Sequence, residues 1–346
     1  MSRPSKLLII NYVMDSEHPL LSHQQEAVHA LSDKFDHVTV ITGQVGINNA
    51  SPNVKIINTQ WNAGQSFRNA VRLLVRSLPL IIRGDFNSVF FHMTDLQCAV
   101  LSPFIRLRGR KQFLWYAHTS KSNYLLWSSL WVNSIITSTL GSCPIKSKKV
   151  SPIGQAINES WFAKISLEKL NLNKLIHIGR FDKSKQIETL IQAAIDLRVE
   201  DDQIELKLVG SPANEESKIW AEGLSAKYRI QIEHGWLEFE GSISRALFPV
   251  KMAESGCFFH AYIGSLDKTL VESTMLCVPV VTINPEYINI FGSWSNSEPV
   301  SLISEYRALR SLNFADLDSE LNRRHSLALR SHSLANWVKQ ISQLLR

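Results

Sequence analysis

The chain has 346 residues, of which 45% are hydrophobic and 20% are charged, and its mean hydropathy is −0.05. This length suits about two domains of roughly 100–200 residues each, and the composition excludes a disordered chain. No stretch approaches the ~18 uninterrupted apolar residues of a membrane-spanning helix, and the first residues lack the pattern of a signal peptide. We therefore expect a cytoplasmic protein.

Charge is distributed unevenly along the chain, whose formal net charge is +6. Residues 1–150 contain 16 Lys and Arg against 7 Asp and Glu, whereas residues 151–346 contain 21 against 24. This asymmetry indicates two domains with different partners, the basic one suited to a membrane surface, a polyanion or a phosphorylated ligand. The four cysteines are widely spaced in apolar surroundings, which favours buried thiols over a disulfide framework or a zinc site.

In the first half of the chain, short apolar runs alternate with segments of helical periodicity. The predicted strands are Leu7–Val13, Val38–Ile41, Val54–Ile57, Val89–His92, Phe113–Tyr116 and Asn133–Thr137. The predicted helices are Ser22–Phe35, Phe67–Leu80 and Leu96–Leu107. This alternation is typical of βαβ units around a parallel sheet.

The alternation of predicted strands and helices stops over Ser151–Asn173 and then resumes. The predicted strands of the second half are Leu175–Ile178, Ile204–Val209, Ile230–Glu233, Cys257–His260 and Val278–Ile283. The predicted helices are Ile187–Leu197, Ser217–Lys227, Ile243–Lys251, Lys268–Leu276 and the amphipathic tail Leu334–Leu345. The sequence thus predicts an α/β protein with two doubly wound domains, each binding ligands at the carboxyl ends of its strands.

The most informative motif runs from His260 to Val281, where a strand, a short loop and a helix follow one another. A helix N-terminus next to Lys268 suits an anion, and Glu272, one turn further on, suits the two hydroxyls of a ribose. A purely structural alternative stays open, in which Asp267 caps the helix and Glu272 pairs with Lys268.

A second motif runs from Leu175 to Ala194. Arg180 directly follows the strand end at Gly179, and Lys185 precedes an amphipathic helix. These two cations are suited to a diphosphate, although they could equally be solvated surface residues.

Together the two motifs resemble the C-terminal half of the family-four retaining glycosyltransferases, which have the GT-B fold. The match consists of Gly179-Arg180 with Lys185, and of Glu272 through Met275 followed by Pro279-Val280-Val281. The resemblance covers about 160 residues well and the N-terminal half in outline. It implies two Rossmann-like domains facing a cleft: residues 1–155 with a returning helix at 330–346, a linker at 156–173, and a nucleotide-sugar-binding domain at 174–329.

The resemblance also implies roles for individual residues. Arg180 and Lys185 would bind the donor diphosphate and stabilise the leaving group, and Glu272 would hold the ribose. Contacts to the nucleotide sugar would further come from Gly179, Gly210, Trp236, Lys268 and Thr269. His118, at a strand end in the first half, would contact the sugar or the acceptor, the alternative being a structural histidine.

The sequence departs from the family pattern at two places. Gly264 stands where the first carboxylate of the Glu-x7-Glu motif falls, so Asp267 would take the sugar-facing carboxylate role. The loop Met14–Pro19 after the first strand lacks the glycine pair that many members have there.

One helix of the basic half has a separate feature. Arginines flank the apolar face of the predicted helix Phe67–Leu80, at Arg68, Arg72 and Arg76. Such a helix can contact anionic lipid headgroups, with further charge from Arg106, Arg108, Arg110 and Lys111. The alternative is an ordinary helix that packs its apolar face on the sheet.

These observations predict a glycosyltransferase that moves a sugar from a nucleotide-diphosphate sugar to a hydroxyl of a glycan or a lipid-linked glycan precursor, as in cell-surface polysaccharide synthesis. We expect no metal, no cofactor and no nucleic-acid partner, and a location in the cytoplasm with peripheral contact to the inner face of the plasma membrane. The alternatives are a nucleotide-sugar-binding protein without transfer activity, and an epimerase or phosphorolytic enzyme of the same fold.

Overall fold

The computed structural model describes residues 4–18, 21–62, 64–295 and 299–346. The contacts of the chain divide it into two compact domains. The first domain contains the residues up to Ala156 together with Ser331–Arg346, and the second contains Ile157–Arg330. No helix among the described residues is both long and apolar enough to cross a membrane.

The first domain is built on a parallel sheet in the order β3-β2-β1-β4-β5-β6-β7. Its strands are β1 (Lys6–Met14), β2 (His37–Val45), β3 (Val54–Asn58), β4 (Ser88–His92), β5 (Lys111–Trp115), β6 (Ser134–Thr137) and β7 (Val150–Pro152). Its helices in the first half of the chain are α1 (Ser22–Ser32), α2 (Ser66–Arg83), α3 (Asp95–Leu107) and α4 (Asn123–Trp131).

Both faces of this sheet are covered, as a parallel sheet requires. Alternate residues of β1 therefore enter opposite cores: Leu7 and Ile9 on one side, Leu8 and Ile10 on the other. The strand consequently reads as a continuous apolar run rather than as an alternating one.

The second domain has a parallel sheet in the order β10-β9-β8-β11-β12. Its strands are β8 (Lys174–Ile178), β9 (Glu205–Val209), β10 (Leu237–Glu240), β11 (Cys257–His260) and β12 (Val280–Thr282). Its helices are α5 (Ile187–Arg198), α6 (Glu215–Lys227), α7 (Arg229–Glu233), α8 (Phe248–Ala253), α9 (Lys268–Met275), α10 (Pro285–Phe291), α11 (Leu302–Ser311) and α12 (Phe314–His332), the last two residues of α12 lying in the first domain.

The last helix, α13 (Leu334–Leu345), belongs to the first domain. Trp337 is fully buried there, with its ring 5.9 Å from that of Phe90 and 5.6 Å from that of Trp115. Gly154 passes so close to the chain before α13 that a Cβ would lie 1.8 Å from the carbonyl oxygen of Ser331. The predicted fold class, two Rossmann-like domains with a returning C-terminal helix, is confirmed.

Three elements differ from the sequence predictions. Residues 157–173 are not a free linker, because Phe162 and Leu167 are buried in the cores of the second domain. The segment Ile230–Glu233 is helical rather than a strand: Ile230 is exposed, and the strand starts instead at Leu237, which pairs with Leu206 of β9. The alternating isoleucines therefore did not mark a pleated, half-buried strand.

The third difference concerns α2. If the apolar face of this helix packed on the sheet, which was the alternative interpretation, Phe67, Val71 and Val75 would be buried, but these side chains are exposed. The helix packs instead through Leu73 and Ile81, which are buried in a core of the first domain.

Candidate functional site

The predicted diphosphate-binding residues meet at the carboxyl edge of the second sheet. β8 is the central strand there, with β9 on one side and β11 on the other, so the strand order reverses beside it. Arg180 follows β8, and Asp267 and Lys268 follow β11. Ligands of doubly wound sheets bind at such a switch point.

Two glycines bring neighbouring strand ends into close contact. The Gly179 N–H donates to the carbonyl oxygen of Val209, 3.0 Å away. A Cβ at Gly210 would lie 1.8 Å from the carbonyl oxygen of Gly179, so only glycine fits there. The predicted residues Gly179 and Gly210 therefore shape the backbone beneath the site.

The loop after β8 is held by Asp182. Its carboxylate accepts a hydrogen bond from the Ser184 N–H, 3.0 Å away, and so caps a short 3-10 turn over Lys183–Lys185. This turn directs Lys185 inward, where its side chain is 10% exposed. Arg180 points into solvent, 3.8 Å from Asp182 and 54% exposed.

Lys185 and Asp267 form an ion pair across the switch point. The Lys185 ammonium also lies 4.2 Å from the ring centroid of Tyr262. Burial raises the pKa of Asp267, but the charge of Lys185 and a hydrogen bond from His260 outweigh burial, so this pKa lies well below its usual range. Asp267 therefore stays ionised, and it makes no capping hydrogen bond to α9.

Two buried histidines lie beneath this pair. His260 Nε2 is 3.5 Å from the Asp267 carboxylate, and the ring of His177 is 5.9 Å from that of His260. Burial, with a smaller effect of His260, lowers the pKa of His177 to about 3. Burial also lowers the pKa of His260, against the opposing influence of Asp267. Both histidines are thus neutral near pH 7, and Lys185 supplies the positive charge.

The first residues of α9 complete this edge. Lys268 and Thr269 are half-buried at the helix N-terminus, where backbone N–H groups favour an anion. The Thr269 hydroxyl is buried and has no hydrogen-bond partner among the described residues. The structure therefore brings both predicted residues next to the Lys185–Asp267 pair.

Glu272 lies one turn further along α9 and is 5% exposed. Its carboxylate accepts a hydrogen bond of 2.6 Å from the guanidinium of Arg245. Arg245 is 32% exposed, so the pair opens to solvent on its arginine side. Arg245 was not identified from the sequence, which predicted one helix over Ile243–Lys251. In the structure Arg245 begins a short 3-10 turn, Arg245–Leu247, that leads into α8.

Tyr262 accounts for the departure at Gly264. A Cβ built on Gly264 would lie 2.0 Å from the Tyr262 hydroxyl, so the tyrosine ring fills the space beside this position. Asn284 braces the same loop by donating to the carbonyl oxygens of Tyr262, Gly264 and Ser265, at 2.8, 3.4 and 3.3 Å. Neither Tyr262 nor Asn284 was identified from the sequence, although Tyr262 lies within the motif and Asn284 follows it closely.

Trp236 does not belong to this edge, contrary to the sequence prediction. It precedes β10, so it lies at the amino end of the sheet, where the guanidinium of Arg198 stacks 4.8 Å from its ring. The error follows from placing a strand at Ile230–Glu233, which shifted the expected strand end. The carboxyl end of β10 is Glu240, followed by Gly241.

His118 lies in the first domain, beyond the carboxyl end of β5, and is exposed. Its Nδ1 accepts a hydrogen bond of 3.0 Å from the Ser120 N–H. In the glycine-free loop after β1, Ser16 N–H donates to the carbonyl oxygen of Ile47, 2.8 Å away. The last residue of that loop, Pro19, lies outside the described residues.

The fold and this edge define a nucleotide-binding type of α/β domain, and comparisons with known proteins give its class. Residues 159–289, within the second domain, match the family model of glycosyl transferases group 1. The second domain thus contains the segment that is similar to this family, and the predicted enzyme class, a glycosyltransferase, is confirmed. Among curated protein sequences, none matches the chain.

Solved structures extend the likeness to both domains. Anabaena HepE in complex with UDP and glucose is 13% identical, with a TM-score of 0.71 and coverage of 99% of each chain. Sucrose-phosphate synthase from Thermosynechococcus elongatus is 15% identical, with a TM-score of 0.72 and 98% coverage of each chain. A glycosyltransferase from Rickettsia africae is 12% identical at a TM-score of 0.72, covering 99% of this chain and 98% of its own. The fold is therefore that of the GT-B glycosyltransferases.

Proposed function

We propose that this protein is a retaining glycosyltransferase of family four, which moves a sugar from a nucleoside-diphosphate sugar to a hydroxyl of a glycan or a lipid-linked glycan precursor. The observation that carries the proposal is the buried Lys185 ammonium at the switch point of a group 1 glycosyltransferase domain. A transfer reaction of this kind needs positive charge where the departing diphosphate develops negative charge.

In this proposal Asp267 is the counter-ion of Lys185 when no donor is bound. A diphosphate is a stronger acceptor than one carboxylate, so it replaces Asp267 as the partner of Lys185. The exposed Arg180 side chain contacts the phosphates from the solvent side. The backbone N–H groups of Lys268 and Thr269, at the N-terminus of α9, donate hydrogen bonds to them. Freed from Lys185, Asp267 faces the sugar, the role its sequence position suggests.

Glu272 holds the ribose hydroxyls in this proposal, with Arg245 orienting the carboxylate. One carboxylate oxygen is occupied by Arg245, and the other is available for a sugar hydroxyl. The bond between the anomeric carbon and the diphosphate oxygen breaks through an oxocarbenium-like state, and the acceptor oxygen forms the new bond on the same face. The proton of the acceptor hydroxyl passes to the departing diphosphate oxygen, so the products are the glycoside and the free nucleoside diphosphate.

We further propose that positive side chains do this without a metal ion. Activity is then expected to survive an excess of EDTA, and loss of activity that added Mg²⁺ restores would contradict this part. Because HepE was solved with UDP and glucose, uridine diphosphate sugars are the first donors to test.

The test is thermal stabilisation by a panel of nucleoside-diphosphate sugars, followed by donor hydrolysis and by the anomeric configuration of the product. Lys185→Ala is expected to lose donor stabilisation and at least about 100-fold in turnover. The matched control is Lys183→Ala, two residues away and 70% exposed, which should behave as wild type. Equal donor binding by wild type and Lys185→Ala would refute the assignment, and an inverted product would refute retention.

One observation favours a second candidate, a nucleotide-sugar-binding protein without transfer. Tyr262 fills the space beside Gly264, where the family pattern places a carboxylate. Stabilisation by a donor without transfer or hydrolysis, across a panel of acceptors, would support this candidate over the enzyme.

A further inference from the structure

An exposed apolar row runs along α2 in the first domain. The row consists of four side chains that are 80%, 42%, 65% and 64% exposed: Phe67, Val71, Val75 and Ile82. At 100° per residue these positions lie within an arc of about 80°. The row is separate from the buried side of the helix, which contains Leu73 and Ile81. None of the described residues covers this row.

A lane of arginines borders the apolar row on one side. It consists of Arg68, Arg72, Arg76 and Arg83, which fall between the apolar row and the buried side of α2. None of the four has an ion pair with a described residue. Arg72 donates to the carbonyl oxygen of Gln60, 2.8 Å away, which holds it close to the helix. Long cationic side chains beside an apolar row can reach anionic groups above it.

The apolar surface continues onto the two neighbouring helices, since α2 packs on α3 and α3 on α4. On α3, Phe104 is 41% and Leu107 83% exposed. On α4, Trp127 is 48% and Leu130 67% exposed, and the Trp127 N–H is satisfied by the carbonyl oxygen of Ala99. Exposed apolar side chains on helices that pack on one another are typical of an interaction surface.

The excess of positive charge in the first domain indicates which kind of partner fits the apolar row and the arginines of α2. Between His37 and Asn158 the sequence contains 13 Lys and Arg but two Asp and Glu, Asp85 and Asp95. A soluble polyanion would satisfy the charge and leave the apolar row in water. A layer with anionic groups above a hydrocarbon interior satisfies both.

We propose that α2, with the exposed residues of α3 and α4, docks the first domain on an anionic phospholipid surface. The helix lies in the plane of the interface along its length of about 27 Å. Phe67, Val71, Val75 and Ile82 enter the acyl boundary, and the arginine lane contacts lipid phosphates. The proposal is independent of sugar transfer, because its test contains neither donor nor acceptor.

The test is co-sedimentation of the full chain with vesicles of phosphatidylcholine alone and with about 30% phosphatidylglycerol added. Binding is expected with the anionic vesicles at about 50 mM salt and should weaken strongly at about 300 mM. Absence of binding at low salt, or equal binding to both vesicle types, would overturn the proposal.

Two variants separate the charge from the apolar row. Arg68→Gln/Arg72→Gln/Arg76→Gln is expected to lower vesicle affinity about 100-fold. Phe67→Ser/Val75→Ser is expected to lower it by about 50-fold. The matched controls are Lys169→Gln/Lys218→Gln/Arg229→Gln and Val199→Ser/Ile219→Ser, exposed positions of the second domain that should leave affinity unchanged. Far-UV circular dichroism verifies that each variant is folded.

Two further results would count against the membrane. In the first, the chain binds heparin in a salt-dependent way, Phe67→Ser/Val75→Ser binds heparin as tightly as wild type, and neither binds vesicles. This result would assign the arginines to a soluble polyanion. A dimer by light scattering that the same variant makes monomeric, again without vesicle binding, would assign the apolar row to self-association.

Discussion

Both domains are built on a parallel sheet, but the carboxyl edge of the second sheet and helix α2 of the first domain differ in where their charged side chains lie. At the carboxyl edge of the second sheet, charged side chains are drawn inward and paired, as in Lys185–Asp267 and Arg245–Glu272. On α2 of the first domain, arginines lie in solvent beside apolar side chains. A preorganised inward site suits a small, highly charged ligand, whereas an open surface suits an extended partner. The same fold thus separates two kinds of recognition.

The largest effect is expected when the backbone under the inward-facing site of the second domain is disturbed. Gly210→Ala places a Cβ 1.8 Å from the carbonyl oxygen of Gly179, so we expect a loss of about 4 kcal/mol of unfolding free energy. Gly223→Ala is the control, because a Cβ in α6 meets nothing within 4 Å. It should gain about 0.5–1 kcal/mol. Urea unfolding measures both, and a neutral Gly210→Ala would show that the strand ends are loosely packed.

The next test removes one charge from each domain. Asp267→Asn leaves the Lys185 ammonium buried without its counter-ion, so we expect a loss of about 3 kcal/mol that UDP partly restores. In the first domain, Asp85→Asn breaks the pair with Lys6. The Asp85 side chain is 75% exposed, so the substitution should leave the unfolding free energy unchanged. Equal effects in urea unfolding would remove the distinction between the two domains.

Acid should affect both domains through buried neutral histidines. Burial lowers the pKa of His177 to about 3 and that of His332 to about 4, against about 6.5 in an unfolded chain. Below pH 6.5 the unfolded state therefore binds more protons, and stability falls towards pH 4 by up to about 1.4 kcal/mol per pH unit and histidine.

Single variants assign this acid sensitivity. His177→Gln should flatten the pH dependence of the second domain, and His332→Gln that of the first. His234→Gln, at an exposed position, is the control and should leave the dependence as it is. Unfolding free energy at pH 7 and pH 5 provides the measurement, and stability that rises on acidification would contradict the assignment.

The smallest effect is expected on the open surface. Arg76→Gln removes an exposed charge that has no ion pair with a described residue, so unfolding free energy should stay within about 0.5 kcal/mol of wild type. A larger loss would mean that the arginine lane supports the fold rather than a partner.

The sequence predicted where most of the candidate site residues of the second domain lie, because parallel strands end on a common edge. Arg180, Lys185, Asp267 and Glu272 follow strands or begin helices, and their chain positions therefore fix where they meet. Arg245 was not predictable as the partner of Glu272, because tertiary packing sets that pairing and no local pattern of the sequence reports it. Trp236 was misplaced by a strand prediction that tertiary context overrode.

The exposed face of α2 could not be predicted from the periodicity of the sequence, and the reason is different. The helix has two apolar lanes, one containing Phe67 and Val75 and one containing Leu73 and Ile81. A helical pattern reports that apolar stripes exist, but it does not say which of two stripes packs on the sheet. Only the packing against the sheet and α3 resolves the choice.

The return of α13 to the first domain has a consequence for biosynthesis. The ribosome completes all 174 residues of the second domain, Ile157–Arg330, before the helix that carries Trp337 is made. The core around Phe90 and Trp115 therefore stays open while the second domain folds. The part of the chain that is synthesised first is consequently the last to be finished.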